Sequence, residues 1–151
     1  MNRRNNLINY FKSWLNNNIN QIIILDWASN ENNYDIISNL NDNRVMYIRV
    51  NEEDKFIRTY AQNLAAKFCR YNKILKIDSD INLSEDFFDR NNLEPGTFIA
   101  GNHFCARNKN ETYTHGNIYL YLDDYFAING YSELIKTLNF NEHLPAKNSL
   151  L

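Results

Sequence analysis

The spacing of apolar residues along the chain predicts alternating helices and strands. Residues 5 to 16 are expected to form an amphipathic helix, because five apolar residues recur there at helical spacing: Leu7, Ile8, Phe11, Trp14 and Leu15. The run Ile22–Leu25 is short, fully apolar and rich in β-branched side chains, which is typical of a strand buried on both faces of a parallel sheet. Val45–Val50 indicates a second strand of the same kind.

The middle of the chain continues this alternation with a longer helix and a third strand. Between residues 54 and 70 the apolar residues step by four, which predicts the best-defined helix of the chain: Phe56, Tyr60, Leu64 and Phe68. Ile74–Ile77 is a third predicted strand, and it runs directly into the acidic triplet Asp78-Ser79-Asp80. Ser84 is then placed to cap a short helix.

The pattern changes after the turn signal Pro95-Gly96. Thr97–Ala100 and Asn117–Leu122 are strand candidates separated by a polar loop, and they predict an antiparallel or mixed part of the sheet. Asp123 is placed to cap a short last helix, and Gly130 suits the left-handed conformation in which many helices end.

These elements predict an α/β fold in which a single domain spans residues 1–151. The expected architecture is a three-layer sandwich with a mainly parallel mixed sheet, because alternating helices and apolar strands form parallel sheets with right-handed crossovers. Ligands of such sheets gather at the carboxyl ends of the strands, where Asp26 and Asp78 both lie. The chain shows no internal repeat and no linker.

The composition indicates which kinds of binding partner and which location to expect for the protein. The chain has 151 residues, of which 44% are hydrophobic, and this is enough material for the core of one domain. Charged residues make up 23% and leave a net charge of -2, so neither nucleic acid nor an anionic membrane surface is an expected partner. The longest apolar run, Ile22–Leu25, is far shorter than the roughly 20 residues that cross a bilayer. A soluble, cytoplasmic protein without a transmembrane segment is therefore expected.

The acidic triplet after the third strand is the strongest candidate for chemistry. On an extended segment, side chains at positions i and i+2 point to the same side, so Asp78 and Asp80 are expected to face one hard divalent cation. The oxygens of a diphosphate would supply further ligands to such a cation. Bound Mg²⁺ or Mn²⁺ would then stabilise the negative charge that develops on a departing diphosphate.

Three other interpretations of the triplet stay open. Acidic pairs in loops are common and are usually only solvated. Four residues also occupy the first, third, fifth and twelfth positions of an EF-hand-like calcium loop, although Leu83 stands where that loop requires glycine: Asp78, Asp80, Asn82 and Asp89. Phosphatases of the haloacid dehalogenase type likewise begin with an apolar strand and Asp-x-Asp, and they use the first carboxylate as a nucleophile.

Several segments together resemble a known family. Ile22–Ser29 is similar to the strand and Asp-x-x-Ser turn that line the nucleotide pocket of family-two-like nucleotide-sugar glycosyltransferases, which have the A-type, Rossmann-like fold. Three further stretches resemble the helix that follows, the strand with its metal motif, and the donor-sugar strand with its helix: Tyr60–Ala66, Ile74–Ile81, and Gly116-Asn117 with Asp123–Glu133. The order and spacing of these segments agree from about Arg3 to Glu133.

The resemblance implies a metal-dependent glycosyltransferase, with inversion as the usual stereochemical course. A UDP- or GDP-sugar would be the donor, and a glycan or protein hydroxyl would be the acceptor. The implied sites are nucleotide contacts at Asp26, Trp27, Arg4 and Asp78, donor-sugar contacts at Gly116 and Asn117, and Mn²⁺ or Mg²⁺ ligands at Asp78 and Asp80. The plain alternative for Asp26 is that it only caps a turn through Ser29, and for the arginines it is solvation. A homodimer is one assembly that the sequence leaves open.

The chain departs from the family's pattern at both ends. The family's first strand and its Pro- or Cys-containing loop are not found before the first helix, and no acidic pair that could supply a catalytic base follows Glu133. Glu133 and Glu142 are poor substitutes, so the catalytic residue is unknown. His143 is a candidate late metal ligand, and His103 and His115 are candidates to face the acceptor. These departures support an alternative function, a catalytically impaired or truncated domain that binds nucleotide or serves as an interaction module.

A nucleotidyltransferase would share this layout and the acidic metal site. Such an enzyme should also carry a Gly-rich loop with a basic residue that binds the triphosphate. The sequence contains no such loop.

Overall fold

The computed structural model describes residues 2–109 and 111–134. Within these residues the α-helices are Arg4–Leu15 (α1), Tyr34–Ser38 (α2), Arg58–Lys67 (α3), Phe87–Arg90 (α4) and Leu122–Ala127 (α5). The strands are Ile22–Trp27 (β1), Val45–Val50 (β2), Lys73–Lys76 (β3), Phe98–Ala100 (β4) and Ile118–Tyr121 (β5). Short 3-10 helices lie at His103–Cys105 and Glu111–Thr114. The predicted alternation of helices and strands is therefore confirmed.

Helix α1 forms where the apolar spacing predicts it and buries its apolar face. Leu7, Phe11 and Trp14 are buried along that face. The indole N–H of Trp14 donates a 2.9 Å hydrogen bond to the carbonyl of Ile81, beyond the end of β3. Ser13 Oγ accepts a hydrogen bond from the backbone N–H of Leu83 at 3.1 Å. The helix therefore holds the chain that follows the acidic triplet.

Strands β1 and β2 pair in parallel, as their apolar sequences predict. Their register runs from Ile22 opposite Val45 to Trp27 opposite Val50. In this register Asp26 lies opposite Arg49, and Asp26 belongs to β1 itself. The strand predicted at Ile22–Leu25 therefore extends two residues further, and Asp26 lies near its carboxyl end as predicted.

The remaining strands form a separate antiparallel sheet in the order β3-β5-β4. Strand β5 lies in the centre, with β3 and β4 both antiparallel to it. The antiparallel part predicted after Pro95-Gly96 is confirmed, but the prediction of one mainly parallel sheet is wrong for the hydrogen bonds of the described strands. The reason is that β3 pairs with β5, and an apolar run is compatible with either direction of pairing.

One hydrophobic cluster connects the two sheets. Its buried members come from α1, β1, α2 and the chain after β3: Leu7, Phe11, Trp14, Ile22, Ile37 and Leu83. Side chains from both sheets and from α4 pack against it, including Ile24, Tyr47, Leu75 and Phe87. A smaller cluster of Ala66, Leu120 and Tyr125 lies between α3, β5 and α5. The core therefore joins elements that share no strand pairing.

The single-domain prediction for residues 1–151 stays a prediction, because residues 135–151 lie outside the described part of the chain. Across residues 2–109 and 111–134, no helix combines the length and the apolar character that crossing a bilayer requires.

Candidate functional site

The acidic triplet forms a turn at the end of β3. The backbone N–H of Ile81 donates to the carbonyl of Asp78 at 3.2 Å, so the chain reverses across Ser79 and Asp80. The premise that Asp78 and Asp80 lie on an extended segment is therefore wrong, and the same-side argument based on strand geometry does not apply to them. Asp80 is exposed at the surface, whereas Asp78 is half-buried.

Lys76, the last residue of β3, contacts this turn directly. Its ammonium Nζ lies 2.6 Å from Oδ1 of Asp78 and 2.7 Å from the carbonyl oxygen of Gly116. The Lys76 side chain is 18% exposed and that of Asp78 is 34% exposed, so the ion pair is only partly open to solvent. A positive charge is thus built into the predicted metal site, next to one of its two carboxylates.

Gly116 and Asn117 lie against the triplet, although 39 residues separate Asn117 from Asp78. The side-chain Oδ1 of Asn117 accepts a 2.8 Å hydrogen bond from the backbone N–H of Asp78, and its Nδ2 donates to the carbonyl of Thr114 at 2.7 Å. Gly116 has a φ of +87°, a left-handed conformation that favours glycine. The segments assigned by resemblance to the metal and to the donor sugar are therefore in direct contact.

The carboxylates of the turn are the candidate ligands for a hard divalent cation. A Cβ at Gly116 would lie 3.9 Å from Oδ2 of Asp78, so the missing side chain leaves that face of the carboxylate uncovered. Among the described residues no side chain bonds to Asp80, and no group of three or more His, Cys, Asp or Glu could hold a metal. Mg²⁺ commonly binds one or two carboxylates together with substrate phosphates, so Asp78 and Asp80 stay candidate ligands.

The calcium-loop interpretation does not fit the structure. Leu83, which would replace the loop's glycine, is buried in the hydrophobic core. Asp89 lies on α4, and the described residues contain no cluster of acidic ligands that includes Asp78, Asp80 and Asp89. The sharp turn for which such a loop needs glycine is therefore not formed at Leu83.

Arg58 and Asp78 both lie close enough to Tyr131 to act on its hydroxyl electrostatically. Burial raises the pKa of the Tyr131 hydroxyl, the positive charge of Arg58 opposes this rise, and the negative charge of Asp78 adds to it. Arg58 is the first residue of α3, and Tyr131 follows α5. The beginning of α3, the turn after β3 and the segment after α5 therefore approach one another.

Asn63 on α3 holds the segment after α5 in place. Its Oδ1 accepts hydrogen bonds from the Tyr125 hydroxyl at 2.5 Å and from the Tyr131 backbone N–H at 2.9 Å. Its Nδ2 donates to the Tyr131 carbonyl and to Oε1 of Glu133, each at 2.9 Å. One amide thus fixes Tyr131 from both sides and also orients Glu133, the last carboxylate of the described chain.

Asp26 is the centre of a second polar cluster. Its side chain is only 2% exposed and accepts four hydrogen bonds, which come from the Ser29 backbone N–H at 3.1 Å, Asn33 Nδ2 at 3.0 Å, the Tyr47 hydroxyl at 2.6 Å and Arg49 NH1 at 2.8 Å. The bond from Ser29 is the turn cap that the Asp-x-x-Ser spacing indicates. The carboxylate is therefore fully engaged by the protein.

Two opposing effects set the pKa of Asp26. Burial raises it, but the hydrogen bonds from Ser29, Tyr47 and Asn33 outweigh burial and bring the pKa of Asp26 below its ordinary value of 3.8. Asn33 is itself buried, and its Oδ1 has no hydrogen-bond partner among the described residues. The side-chain oxygen of Asn33 is therefore an acceptor that this cluster leaves unpaired and closed to solvent.

Trp27 and Arg4, the other predicted nucleotide contacts, are engaged by protein groups. Trp27 is buried, and its indole N–H donates to the carbonyl of Lys55 at 2.9 Å. The guanidinium of Arg4 donates to both carboxylate oxygens of Asp35, at 2.8 and 2.6 Å. Trp27 thus packs between β1 and the chain before α3, and Arg4 ties α1 to α2. Contact of either residue with a nucleotide stays a prediction.

His103 and His115 face each other beside the triplet's partner segment. Their ring centroids lie 5.9 Å apart in an edge-to-face arrangement, and His115 precedes Gly116. His143, the candidate late metal ligand, and Glu142 lie outside the described residues, as does the stretch in which the family places its catalytic base.

Sequence reasoning missed Lys76, Asn63 and Tyr131. Lys76 is the one charged residue in the predicted strand Ile74–Ile77, and it stands two positions before the triplet. The sequence therefore contained a signal for it. Asn63 lies inside an amphipathic helix, a position that asparagine occupies less readily than apolar or long charged residues. Tyr131 offered no signal of its own, because its place depends on how α5 packs against α3.

Comparison of the chain with protein-family models, with curated proteins and with solved structures gives no significant match.

Proposed function

We propose that this protein is a metal-dependent glycosyltransferase that transfers a sugar from a UDP- or GDP-sugar to a glycan or protein hydroxyl. The contact between the Asp78 turn and Asn117 carries the proposal. The 2.8 Å hydrogen bond from Asp78 N to Asn117 Oδ1 joins the two segments to which the resemblance assigns the metal and the donor sugar. A donor's diphosphate and sugar lie next to each other, so their binding segments have to meet.

In this proposal the Asp78 turn and the segment Gly116-Asn117 have different roles in binding the donor. Asp80 and the open face of Asp78 would hold Mn²⁺ or Mg²⁺, which supplies Lewis-acid stabilisation of the leaving diphosphate. Asn117 fixes the backbone of Asp78, and the left-handed Gly116 leaves space beside the carboxylate. The sugar would then lie along Gly116 and Asn117.

The nucleoside would lie toward the cluster around Asp26. Because Asp26 already accepts four hydrogen bonds, its role in the proposal is to orient Asn33 and Arg49 rather than to contact the base itself. The Asn33 Oδ1 has no partner among the described residues but is closed to solvent, so a base N–H could bond to it only if this cluster opened.

The finer fold belongs to the same proposal. We infer that the parallel sheet and the antiparallel sheet are parts of an A-type, three-layer glycosyltransferase architecture, although they do not form the single mainly parallel sheet that was expected. The hydrophobic cluster supports this inference, because it places Ile22 and Ile24 of β1 with Leu75 of β3 in one continuous core.

A second candidate is a domain that binds nucleotide without transferring sugar. The observation that favours it concerns Glu133, the carboxylate nearest to where the family places its base. Its Oε1 accepts a 2.9 Å hydrogen bond from Asn63 Nδ2. Among the described residues, no carboxylate follows Glu133 that could act as the base for an acceptor hydroxyl. A general base needs to reach the acceptor hydroxyl within hydrogen-bond distance.

Calorimetric titration with UDP and GDP, each with and without Mn²⁺, tests both candidates. Metal-enhanced binding together with hydrolysis of UDP- or GDP-sugars supports a transferase, and binding without turnover supports the second candidate. If neither nucleotide binds under any condition, both proposals fail.

The Asp80→Ala variant tests the site itself. We expect it to abolish the enhancement of nucleotide binding by Mn²⁺ with little loss of stability, because Asp80 is exposed and no described side chain bonds to it. Asp54→Ala is the matched control, since it removes one exposed carboxylate from a loop elsewhere. An Asp80→Ala protein that keeps the full Mn²⁺ effect would rule out this metal site.

A further inference from the structure

Lys76 places a positive charge beside the turn at which the anionic diphosphate is proposed to bind. Its ammonium contacts Asp78 Oδ1 at 2.6 Å and the Gly116 carbonyl at 2.7 Å, and the side chain is 18% exposed. An ammonium group has three N–H donors, and these contacts use two of them. Among the described residues no group accepts from the third donor.

We propose that Lys76 binds a phosphate oxygen of the nucleoside diphosphate directly, and that Asp78 positions Lys76. This inference rests on the proposed function. A strand end fixes the lysine, and the two acceptors hold its ammonium between the segments assigned to the metal and to the sugar. Charge-assisted hydrogen bonds from lysine are a common way to bind phosphate.

Lys76 and the metal would also compete for Asp78. The ammonium already occupies Oδ1 of that carboxylate, and a divalent cation on the same group would repel it. The structure therefore leaves Asp80 and the Oδ2 side of Asp78 for the metal. The site should hold a nucleoside diphosphate weakly without any metal, through Lys76, and more tightly with it.

Titration of UDP and of uridine into metal-free protein tests this role. Lys76→Met should weaken UDP binding about tenfold or more, since a hydrogen bond to a charged group is worth about 1.5–3 kcal/mol. The same change should leave uridine binding unaltered. Lys76→Arg should restore part of the affinity. Lys73→Met is the control, because it removes a more exposed lysine from the same strand and should leave UDP binding unchanged.

The affinity of the nucleotide-free protein for Mn²⁺ separates this role from a structural one. Lys76→Met should bind Mn²⁺ severalfold more tightly, because the competing ammonium is gone. A merely structural lysine would loosen the loop when it is removed, and both UDP and Mn²⁺ binding would then weaken.

The outcomes also separate the inference from the proposed function. Wild-type protein that binds UDP only with Mn²⁺, or a Lys76→Met protein with unchanged metal-free UDP affinity, would overturn the inference and leave the proposed function standing. Wild-type protein that binds neither UDP nor GDP in any condition would remove both.

Discussion

At the scale of single residues, Asp26 shows how the chain stabilises a buried charge. Moving an isolated carboxylate into the interior is strongly unfavourable, and the structure compensates with four donors, one of them the cationic Arg49. Tyr47 and Arg49 are two positions apart in β2, so their side chains lie on the same face of the strand and reach the same carboxylate. Removal of the charge should therefore leave Arg49 without its anionic partner.

The first prediction concerns Asp26→Asn. We expect it to lower the free energy of unfolding at pH 7 by on the order of 3 kcal/mol, because one partner of a buried, hydrogen-bonded ion pair is lost. Urea denaturation measures this loss. The control is Asp35→Asn, which breaks the exposed pair with Arg4 and should change stability much less, because solvent screens exposed ion pairs. Equal losses in the two variants would show that Asp26 is not the stronger contributor.

The pH dependence of the same pair of proteins checks the cause. The pKa of Asp26 is lowered in the folded state, so its contribution is fully present above the ordinary value of 3.8 and is lost as the pH falls through the folded-state pKa. Asparagine does not titrate. The difference in stability between wild type and Asp26→Asn should therefore shrink as the pH falls from about 5 toward 3. A difference that stays constant over this range would contradict the assignment.

Residue-level prediction from the sequence worked where contacts are local. The Asp-x-x-Ser spacing predicted the bond between Asp26 and Ser29, which spans three residues. The bonds from Tyr47 and Arg49 could not be predicted in the same way, because they depend on the register between β1 and β2. The contact of Lys76 with Gly116 spans 40 residues and depends on the packing of β3 against β5.

At the scale of elements, α5 and the turn after it pack onto α3 through a glycine. Gly130 has a φ of +64°, and a Cβ there would lie 2.6 Å from Asn63 Oδ1 and 2.9 Å from Tyr125 Cε1. Asn63 cannot easily move, because it makes four hydrogen bonds to this segment. The position therefore requires glycine both for its backbone conformation and for space.

The second prediction compares Gly130→Ala with Gly96→Ala. Both glycines have a positive φ, but nothing lies within 4 Å of a Cβ at Gly96. We expect Gly96→Ala to lower the free energy of unfolding by about 1–2 kcal/mol, the usual penalty of the left-handed conformation. Gly130→Ala should lower it by about 2–4 kcal/mol, because overpacking against Asn63 and Tyr125 adds to that penalty. Chemical denaturation gives both values. Similar losses in the two variants would mean that the Asn63 side chain moves aside at little energetic cost.

Sequence patterns predicted the elements better than their pairing. Val45–Val50 is observed with the bounds that were expected, and α1 begins at Arg4, one residue early. The predicted strand Ile74–Ile77 is observed one residue earlier, at Lys73–Lys76. Its antiparallel partner β5 lies over 40 residues later, and periodicity within a strand carries no information about such a partner.

At the scale of the whole molecule, the two sheets share a core although no hydrogen-bonded pair of the described strands joins them. Helix α1 is the link, since Phe11 and Trp14 pack in the same cluster as Ile22 of β1, and Leu75 of β3 packs against it. Gln21, just before β1, adds a polar link, because its side chain bonds to the carbonyl of Phe68 and the N–H of Arg70, each at 3.0 Å. These contacts should make the two sheets unfold together.

The last prediction tests this coupling with the two tryptophans. In a Trp27→Phe variant the remaining Trp14 reports the contact of α1 with Ile81 near the second sheet; in a Trp14→Phe variant the remaining Trp27 reports the end of β1. We expect the fluorescence midpoint in urea to coincide with the far-ultraviolet circular dichroism midpoint in each variant, because a shared core gives one cooperative transition. Trp27 fluorescence that changes at clearly lower urea than the dichroism would show that β1 and β2 unfold on their own. The cluster around Asp26 would then be lost before the Asp78 turn, so a nucleotide spanning both should raise the two midpoints unequally.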